Sequence, residues 1–166
     1  YLRVVDYKTG RKSFDLTEVW NGLGLQMLLY LFTLEEEGEA LFGRRPVPAG
    51  VLYLPARDAM VAGSRTMDEA ARRRLLDKEL LRRGLILDQE EVVQAMEHGA
   101  GELRFLPLRV SARTGKITGE ALVSAQKLGR LKQHIAHTLG QICQEIARGN
   151  IDADPFWRGP NRNACQ

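Results

Sequence analysis

The pattern of apolar and polar positions opens with a short strand. Residues 3–8 are rich in β-branched side chains and precede a turn signal at Gly10, which is typical of a buried strand. Because alternate side chains of a strand leave on the same face, Asp6 and Lys8 are predicted to project together, with Tyr7 on the other side. An acid and an amine then share one small volume at the end of an apolar run.

A largely apolar segment follows and predicts one helix from Leu16 to about Glu37, ending at Gly38. Its polar residues fall at spacings of four and three and form one stripe, made of Gln26, Tyr30 and Thr33. A helix that is buried nearly all round would turn this stripe toward the core. Two explanations remain open, because buried polar groups need partners: the stripe borders a wet cleft or a ligand, or each group bonds to nearby backbone.

The rest of the chain alternates between strand and helix patterns. Strands are predicted at 51–55 and 103–110, and helices at 66–83, 88–97 and 124–148. The first strand, the first helix and the strand at 51–55 form a unit that usually makes a parallel, right-handed crossover. The sequence therefore predicts an α/β fold with the first helix packed against the sheet.

The last helix carries apolar residues at every third or fourth position from Leu128 to Ile146, which predicts that one stripe packs inward. Cys143 lies on this apolar face and is predicted to be a core residue. His134 and His137 are three positions apart, a spacing at which two histidines can share a metal. Surface histidines are the preferred interpretation, because no third ligand is apparent.

Composition excludes several classes of protein. With 166 residues, 44% of them apolar, the chain can build one domain with a sizeable core. Its apolar runs are too short to span a membrane, and no basic-then-apolar leader opens the sequence. Two cysteines provide no disulfide framework, so the expected location is a reducing cytoplasm.

Positive charge is concentrated in one segment, although a net charge of +3 is only mildly basic. Between residues 104 and 132, seven bases stand against the single acid Glu120. If they share a face, they would attract phosphates, and the candidate DNA-binding residues are Arg109, Arg113, Lys116, Lys127 and Arg130. The alternative is a set of scattered, solvated cations.

Asp6 and Lys8 are the first candidates for catalysis. A carboxylate can hold a hard divalent cation such as Mg²⁺, while an ammonium group can orient an attacking water or stabilise charge on a phosphate. Phosphodiester cleavage uses both functions. The alternative is an ordinary salt bridge at the end of a strand.

Two motifs together carry a resemblance to a known family. The run from Asp6 to Gly10, followed by Gln26-x-x-x-Tyr30, resembles the PD-(D/E)xK nucleases of the RecB family, in which a D-x-K strand precedes a helix with Q-x-x-x-Y. Residues 23–30 and 48–53 resemble, more specifically, the C-terminal nuclease domain of the AddB family, whose members are subunits of bacterial helicase–nuclease complexes. The likeness extends over nearly the whole chain, including 124–149 and 163–165.

This resemblance implies a fold, an activity and roles for residues. The fold is a restriction-endonuclease-like α/β core, with a central mixed sheet flanked by helices. The activity is Mg²⁺-dependent cleavage of DNA, with exonuclease action in double-strand break repair and recombination, alongside an AddA-like helicase–nuclease partner. Asp6 would be a metal ligand, Lys8 the catalytic lysine, and Gln26 and Tyr30 residues beside the cleft that position Lys8 or contact DNA.

The resemblance also implies that further ligands lie elsewhere. The family has another acidic metal ligand on an earlier strand, whereas this sequence begins at Tyr1, already at the D-x-K strand. It also holds a 4Fe-4S cluster with four cysteines, and Cys165 matches the first of three late ones. The expectation is therefore a fragment without activity of its own, with residues 1–150 as a partial nuclease domain and 151–166 as an irregular tail that leads toward the cluster segment.

Two further functional hypotheses remain open. The same fold could serve as a non-catalytic module that forms a DNA channel wall or docks the helicase subunit, because fold does not fix function. A stand-alone phage-type or restriction-like nuclease that shares only the two motifs is the third hypothesis.

Overall fold

The computed structural model describes residues 1–97 and 103–159. In chain order its elements are β1 (Leu2–Lys8), α1 (Leu16–Trp20), α2 (Gln26–Phe42), β2 (Pro48–Pro55), α3 (Glu69–Glu79), β3 (Arg83–Leu87), α4 (Glu90–Met96), β4 (Arg109–Val110), β5 (Ile117–Thr118), β6 (Leu122–Val123) and α5 (Ala125–Ala147). None of the helices in these ranges is both long and apolar enough to cross a membrane.

The main sheet is mixed and has the strand order β1-β2-β3-β6. β1 and β2 are parallel, with Val4 opposite Val51 and Asp6 opposite Tyr53. β2 and β3 are antiparallel, and β3 and β6 are parallel. The predicted α/β class and the predicted parallel crossover are both confirmed.

Two apolar cores cover the two faces of this sheet. On one face, α2 buries Met27, Leu28 and Leu31 against β2 and α5. On the other face, α4 and the segment before β4 pack against β2 and β3. Because both faces are covered, the central strands consist almost entirely of apolar residues.

The predicted first helix is two helices. α1 ends at Trp20, and a turn with Gly22 at φ +82° and Gly24 at φ +64° separates it from α2. α2 then runs through the predicted stop at Gly38 and ends at Phe42. Gly43 caps it, with a φ of +69° that is the left-handed conformation typical of a helix C-terminus. Gly38 is instead a buried position where the chain packs against Pro46.

β3 is a strand that the sequence pattern does not predict. The predicted helix at 66–83 ends early, at Glu79, and residues 83–87 form a central strand. Gly84, which follows the predicted helix, is not its stop but a strand position with φ +154°, where a Cβ would lie 1.9 Å from the Val51 carbonyl oxygen. A glycine in a strand can mark a close approach of backbones as well as a helix end.

The predicted strand at 103–110 is wrong except at its end, where β4 pairs with β5 in a hairpin whose connection contains Gly115. The carboxylate of Glu97 accepts hydrogen bonds from three successive backbone N–H groups, those of Arg104, Phe105 and Leu106. Because these three N–H groups donate to one side chain, they are not available to pair with a neighbouring strand. The segment is therefore irregular.

α5 begins as predicted, with the Ser124 hydroxyl accepting a hydrogen bond from the Lys127 N–H. Leu128 and Ile135 are buried, but the stripe does not stay inward: Ile146 is 70% exposed. Cys143 is exposed, so its prediction as a core residue is wrong. The last turns of α5 extend beyond the core that its first half covers.

Candidate active site

Asp6 and Lys8 come together as predicted, on one face of β1. They continue the row that begins with Leu2 and Val4, whose side chains pack into the core beneath α2. The Lys8 Nζ lies 2.8 Å from Asp6 Oδ2, and the two side chains are 37% and 29% exposed. The pair therefore marks the point where an apolar sheet face opens to solvent.

Tyr53 lies next to this pair, although no motif in the sequence predicts a role for it. It is the cross-strand neighbour of Asp6, is only 7% exposed, and its ring centroid lies 5.6 Å from the Lys8 Nζ. Pairing between parallel strands could have indicated it, but only with the register of β1 and β2 known. The Lys8 ammonium therefore lies over the face of the ring, in a cation–π interaction.

The pKa values at the site shift in directions that keep Lys8 charged. The hydrogen bond to Asp6 raises the pKa of Lys8, against a smaller opposing effect of desolvation. Burial raises the pKa of the Tyr53 hydroxyl, the Lys8 charge lowers it, and the Asp6 and Glu18 carboxylates add to the rise. At neutral pH the site thus holds a charged ammonium beside a neutral phenol.

Gln26 and Tyr30 lie one turn apart at the start of α2, and the Gln26 Nε2 donates to the Tyr30 hydroxyl over 3.1 Å. The predicted orientation of their stripe is wrong: Gln26 and Thr33 are exposed, and Tyr30 is 53% exposed. The opposite side of α2 is the one that fills the core. Within the described ranges, no hydrogen bond joins Gln26 or Tyr30 to Asp6 or Lys8.

The described residues do not form a metal site by themselves. No group of three or more His, Cys, Asp and Glu side chains that could hold an ion is found among residues 1–97 and 103–159. Asp6 offers a hard oxygen ligand of the kind that Mg²⁺ prefers, and one such carboxylate can suffice when water and substrate phosphates complete the shell.

A basic cleft of about 440 Å³ adjoins Lys8, and most of its charged residues lie outside the motifs of the sequence. It is lined by six bases (Lys8, Arg11, Lys12, Arg57, Lys78 and Arg83) and by the acid Glu79. These bases come from separate segments of the sequence, so a search for charge runs could not group them. The fold brings them to one end of the sheet.

The basic segment from 104 to 132 divides into paired and solvated cations. Arg104 makes two hydrogen bonds of 2.7 Å to Asp77, and Lys132 contacts Glu35 and Glu36 at 2.8 and 2.9 Å. The five candidate DNA-binding residues are exposed, with Arg109, Arg113 and Lys116 around the β4–β5 hairpin and Lys127 and Arg130 on α5. Their role in binding DNA stays a prediction.

The histidines and cysteines show no ligand cluster within the described ranges. His134 stacks on Trp20, with ring centroids 3.8 Å apart, and its Nε2 lies 2.9 Å from the Trp20 carbonyl oxygen. His137 is exposed, and no third ligand among residues 1–97 and 103–159 joins the two histidines. Cys165, the predicted cluster ligand, lies outside the described residues.

Comparison with known proteins places the chain in a family. The family model described as "PD-(D/E)XK nuclease superfamily" matches residues 1–166. Three similar proteins, each named as a subunit of an ATP-dependent helicase/deoxyribonuclease, come from Exiguobacterium sibiricum (37% identity over 94% of this chain), Acetivibrio thermocellus (34% over 94%) and Clostridium novyi (32% over 99%). The chain spans only 14% of the length of each. Because the family model covers the whole of it, the chain belongs to the PD-(D/E)XK nuclease superfamily.

Proposed function

We propose that this chain is the nuclease domain of a bacterial helicase–nuclease subunit and hydrolyses DNA phosphodiesters in a metal-dependent reaction. The observation that carries the proposal is the Asp6–Lys8 pair, which opens to solvent at the end of β1 in a chain of a nuclease superfamily. The helicase and the DNA substrate in this proposal come from the names of the relatives, which describe those proteins.

Lys8 acts as the positive group at the reacting phosphate. Its ammonium has three donors, one of which Asp6 orients, and the other two are free for a phosphate oxygen or for the attacking water. Charge on the phosphate grows in the transition state, and a fixed ammonium stabilises it more than it stabilises the ground state. The raised pKa of Lys8 keeps this group protonated at neutral pH.

Asp6 has two tasks. Its Oδ2 holds Lys8, while its other carboxylate oxygen would be a ligand for Mg²⁺. When bound, the ion supplies an activated water and offsets charge on the leaving oxygen.

The remaining acidic ligand belongs on a strand next to β1. β1 is the edge of the described sheet, so one side of its backbone has unpaired N–H and C=O groups that another strand could meet. The acidic ligand that the resemblance implies would lie on such a strand. Replacement of that acid by an apolar residue would instead favour the non-catalytic scaffold, the second candidate function.

Gln26 and Tyr30 serve as a hydrogen-bonded pair that contacts DNA. They are exposed and bonded to each other, which leaves the Tyr30 hydroxyl and the Gln26 carbonyl available to a ligand. Direct positioning of Lys8 is the less favoured role, given the absence of a bond between these residues within the described ranges.

We propose the wider setting on the resemblance of the two motifs to the RecB and AddB families. We assign exonuclease action on DNA ends, a role in double-strand break repair and recombination, an AddA-like helicase partner and a cytoplasmic location. A 4Fe-4S cluster held in part by Cys165 belongs to this assignment as well. The described residues bring no thiolates together, so no step of the reaction is derived through that cluster. Analysis of iron and acid-labile sulfide in the complete protein, with Cys165→Ser as the comparison, tests the assignment.

Degradation of end-labelled linear DNA by the complete protein tests the proposed activity. Wild type should release label with Mg²⁺ and not without it, and Asp6→Ala should release none. Asp152→Ala, which removes an exposed carboxylate in the C-terminal segment, is the matched control and should cut like wild type. Metal-dependent cutting by Asp6→Ala at the wild-type rate would refute the assignment of Asp6.

A further inference from the structure

A groove crosses the end of the sheet beside Asp6 and Lys8. Two cavities of about 440 and 880 Å³ form it, and they adjoin because Ser13, Phe14, Leu81 and Arg83 line both. The first is the basic cleft, and the second continues past the start of β3 toward Ala121, just before β6. The groove therefore runs from the candidate active site past the ends of β1, β2 and β3 to the segment that precedes β6.

The bases of the basic cleft outnumber its acid, and that acid is already engaged. Glu79 Oε2 lies 2.7 Å from Arg11 Nη2 and 2.9 Å from Arg57 Nη2. Two guanidinium groups thus share one carboxylate, and they lower the pKa of Glu79 so that it stays ionised. The cleft keeps a surplus of positive charge after this pairing.

Three bases of the cleft are free to meet an anion. Lys12, Lys78 and Arg83 are exposed, and within residues 1–97 and 103–159 none of them takes part in an ion pair. Arg109 lines the second cavity, and it too is exposed and takes part in no ion pair among the described residues. Asp15 and Glu120 also line the second cavity, and Asp15 is paired with Arg158. Four unpaired cations against the single unpaired acid Glu120, in the described part of the chain, fit a ligand with repeated negative charges rather than a single small anion.

The second cavity adds apolar walls to this charge. Leu103, Leu106 and Pro107 line it, and the half-buried ring of Phe14 lies where the cavities meet. A positively charged groove with aromatic or apolar surface is the combination that binds single strands, because unpaired bases can lie against the apolar wall while phosphates meet the cations. The bases of a duplex are stacked inside the double helix, so they cannot pack against such an apolar wall.

We infer that this groove binds the backbone of a single DNA strand whose scissile phosphate lies at Lys8, with Lys12, Lys78 and Arg83 as phosphate contacts. The inference rests on the proposed nuclease function for the identity of the ligand. It also assigns Arg109 to the path of the strand. Of the five DNA-binding residues predicted from the sequence, Arg109 alone lines these two cavities of the described structure.

Crosslinking tests the groove without relying on cleavage. In the complete protein, Ser13→Cys places a thiol at the junction of the two cavities, and a single-stranded oligonucleotide with one bromoacetylated phosphorothioate serves as the probe, without divalent metal. We expect a crosslink at position 13 that the unlabelled strand competes away. Lys12→Gln/Lys78→Gln/Arg83→Gln, introduced together, should reduce its yield about tenfold and lower the salt slope of binding by about two, at roughly 0.7 per phosphate contact.

The matched control removes three exposed bases that lie outside both cavities, through Arg44→Gln/Arg65→Gln/Arg74→Gln. Introduced into the Ser13→Cys protein, it should leave the crosslink yield unchanged, and both triple variants should unfold at the temperature of the Ser13→Cys protein. An unchanged yield in the groove variant would overturn the inference, as would equally strong competition by duplex DNA or by polyglutamate. Failure of the wild type to cut DNA would count against the proposed function alone, because the crosslink is read without cleavage.

Discussion

At the scale of single residues, the site depends on a short contact and a buried ring. The Asp6–Lys8 pair is partly exposed, so it adds little to stability and its value lies in chemistry. Tyr53 should matter for stability instead, because its ring is buried in the core and contacts the site only where its face meets the Lys8 ammonium. Substitutions at the two places should therefore separate activity from stability.

Tyr53→Phe keeps the ring and removes a hydroxyl for which the described residues offer no hydrogen bond. We expect wild-type cleavage and little change in unfolding free energy, measured by chemical denaturation. Tyr53→Ala removes the ring and should cost about 3–5 kcal/mol, because it leaves a cavity in the core. A large loss of cleavage in a stable Tyr53→Phe protein would mean that the hydroxyl acts in the reaction.

Asp15 should make the fold sensitive to acid. The ion pair with Arg158 and the backbone N–H of Thr17 lower the pKa of Asp15 from 3.8 to about 2. A lowered pKa in the folded state gives stability that is present above the ordinary value and is lost as pH falls from about 4 to about 2. Asp15→Asn should therefore lower the melting temperature at neutral pH, and this difference should vanish near pH 2. A difference that is constant with pH would contradict the assignment.

At the scale of elements, glycines mark where a single sequence is ambiguous. Strand β1, strand β2 and helix α5 could be predicted because their apolar periods are regular and their ends are marked by turn residues or by Ser124. Gly38 and Gly84 both have the sequence context of a helix stop, yet one packs inside α2 and the other lies within β3. Only the close approach of another segment distinguishes these roles, and a single sequence does not show it.

Gly84→Ala tests this interpretation. The new methyl group would lie 1.9 Å from the Val51 carbonyl oxygen at a φ of +154°, so strand β3 must shift or strain. We expect a loss of at least about 2 kcal/mol of unfolding free energy. Gly129→Ala is the control: it lies within α5 with nothing inside 4 Å, and it should add about 1 kcal/mol because alanine is the better helix former. Equal effects of the two substitutions would refute the account of β3.

At the scale of the whole molecule, the fold gathers charge that the sequence disperses. The D-x-K and Q-x-x-x-Y motifs could be found by spacing alone, because each lies within one strand or one helix. The basic cleft could not, since Lys12, Lys78 and Arg83 meet only when β1, β2 and β3 are assembled. The exposure of the polar stripe could not be predicted for a related reason: a single helix pattern does not show which face the sheet covers.

The most direct measurement is the single-turnover cleavage rate of a short DNA strand by the complete protein in four forms: wild type, Asp6→Asn, Lys8→Gln and the double variant. Each single change should lower the rate by about 10²–10³, because each removes a group that stabilises the transition state. Residues that act as a unit are not additive, so the double variant should be scarcely slower than the slower single variant. Rates close to wild type in both single variants would contradict the assignment of Asp6 and Lys8, whereas no cutting by a folded wild type that still binds DNA would favour the scaffold.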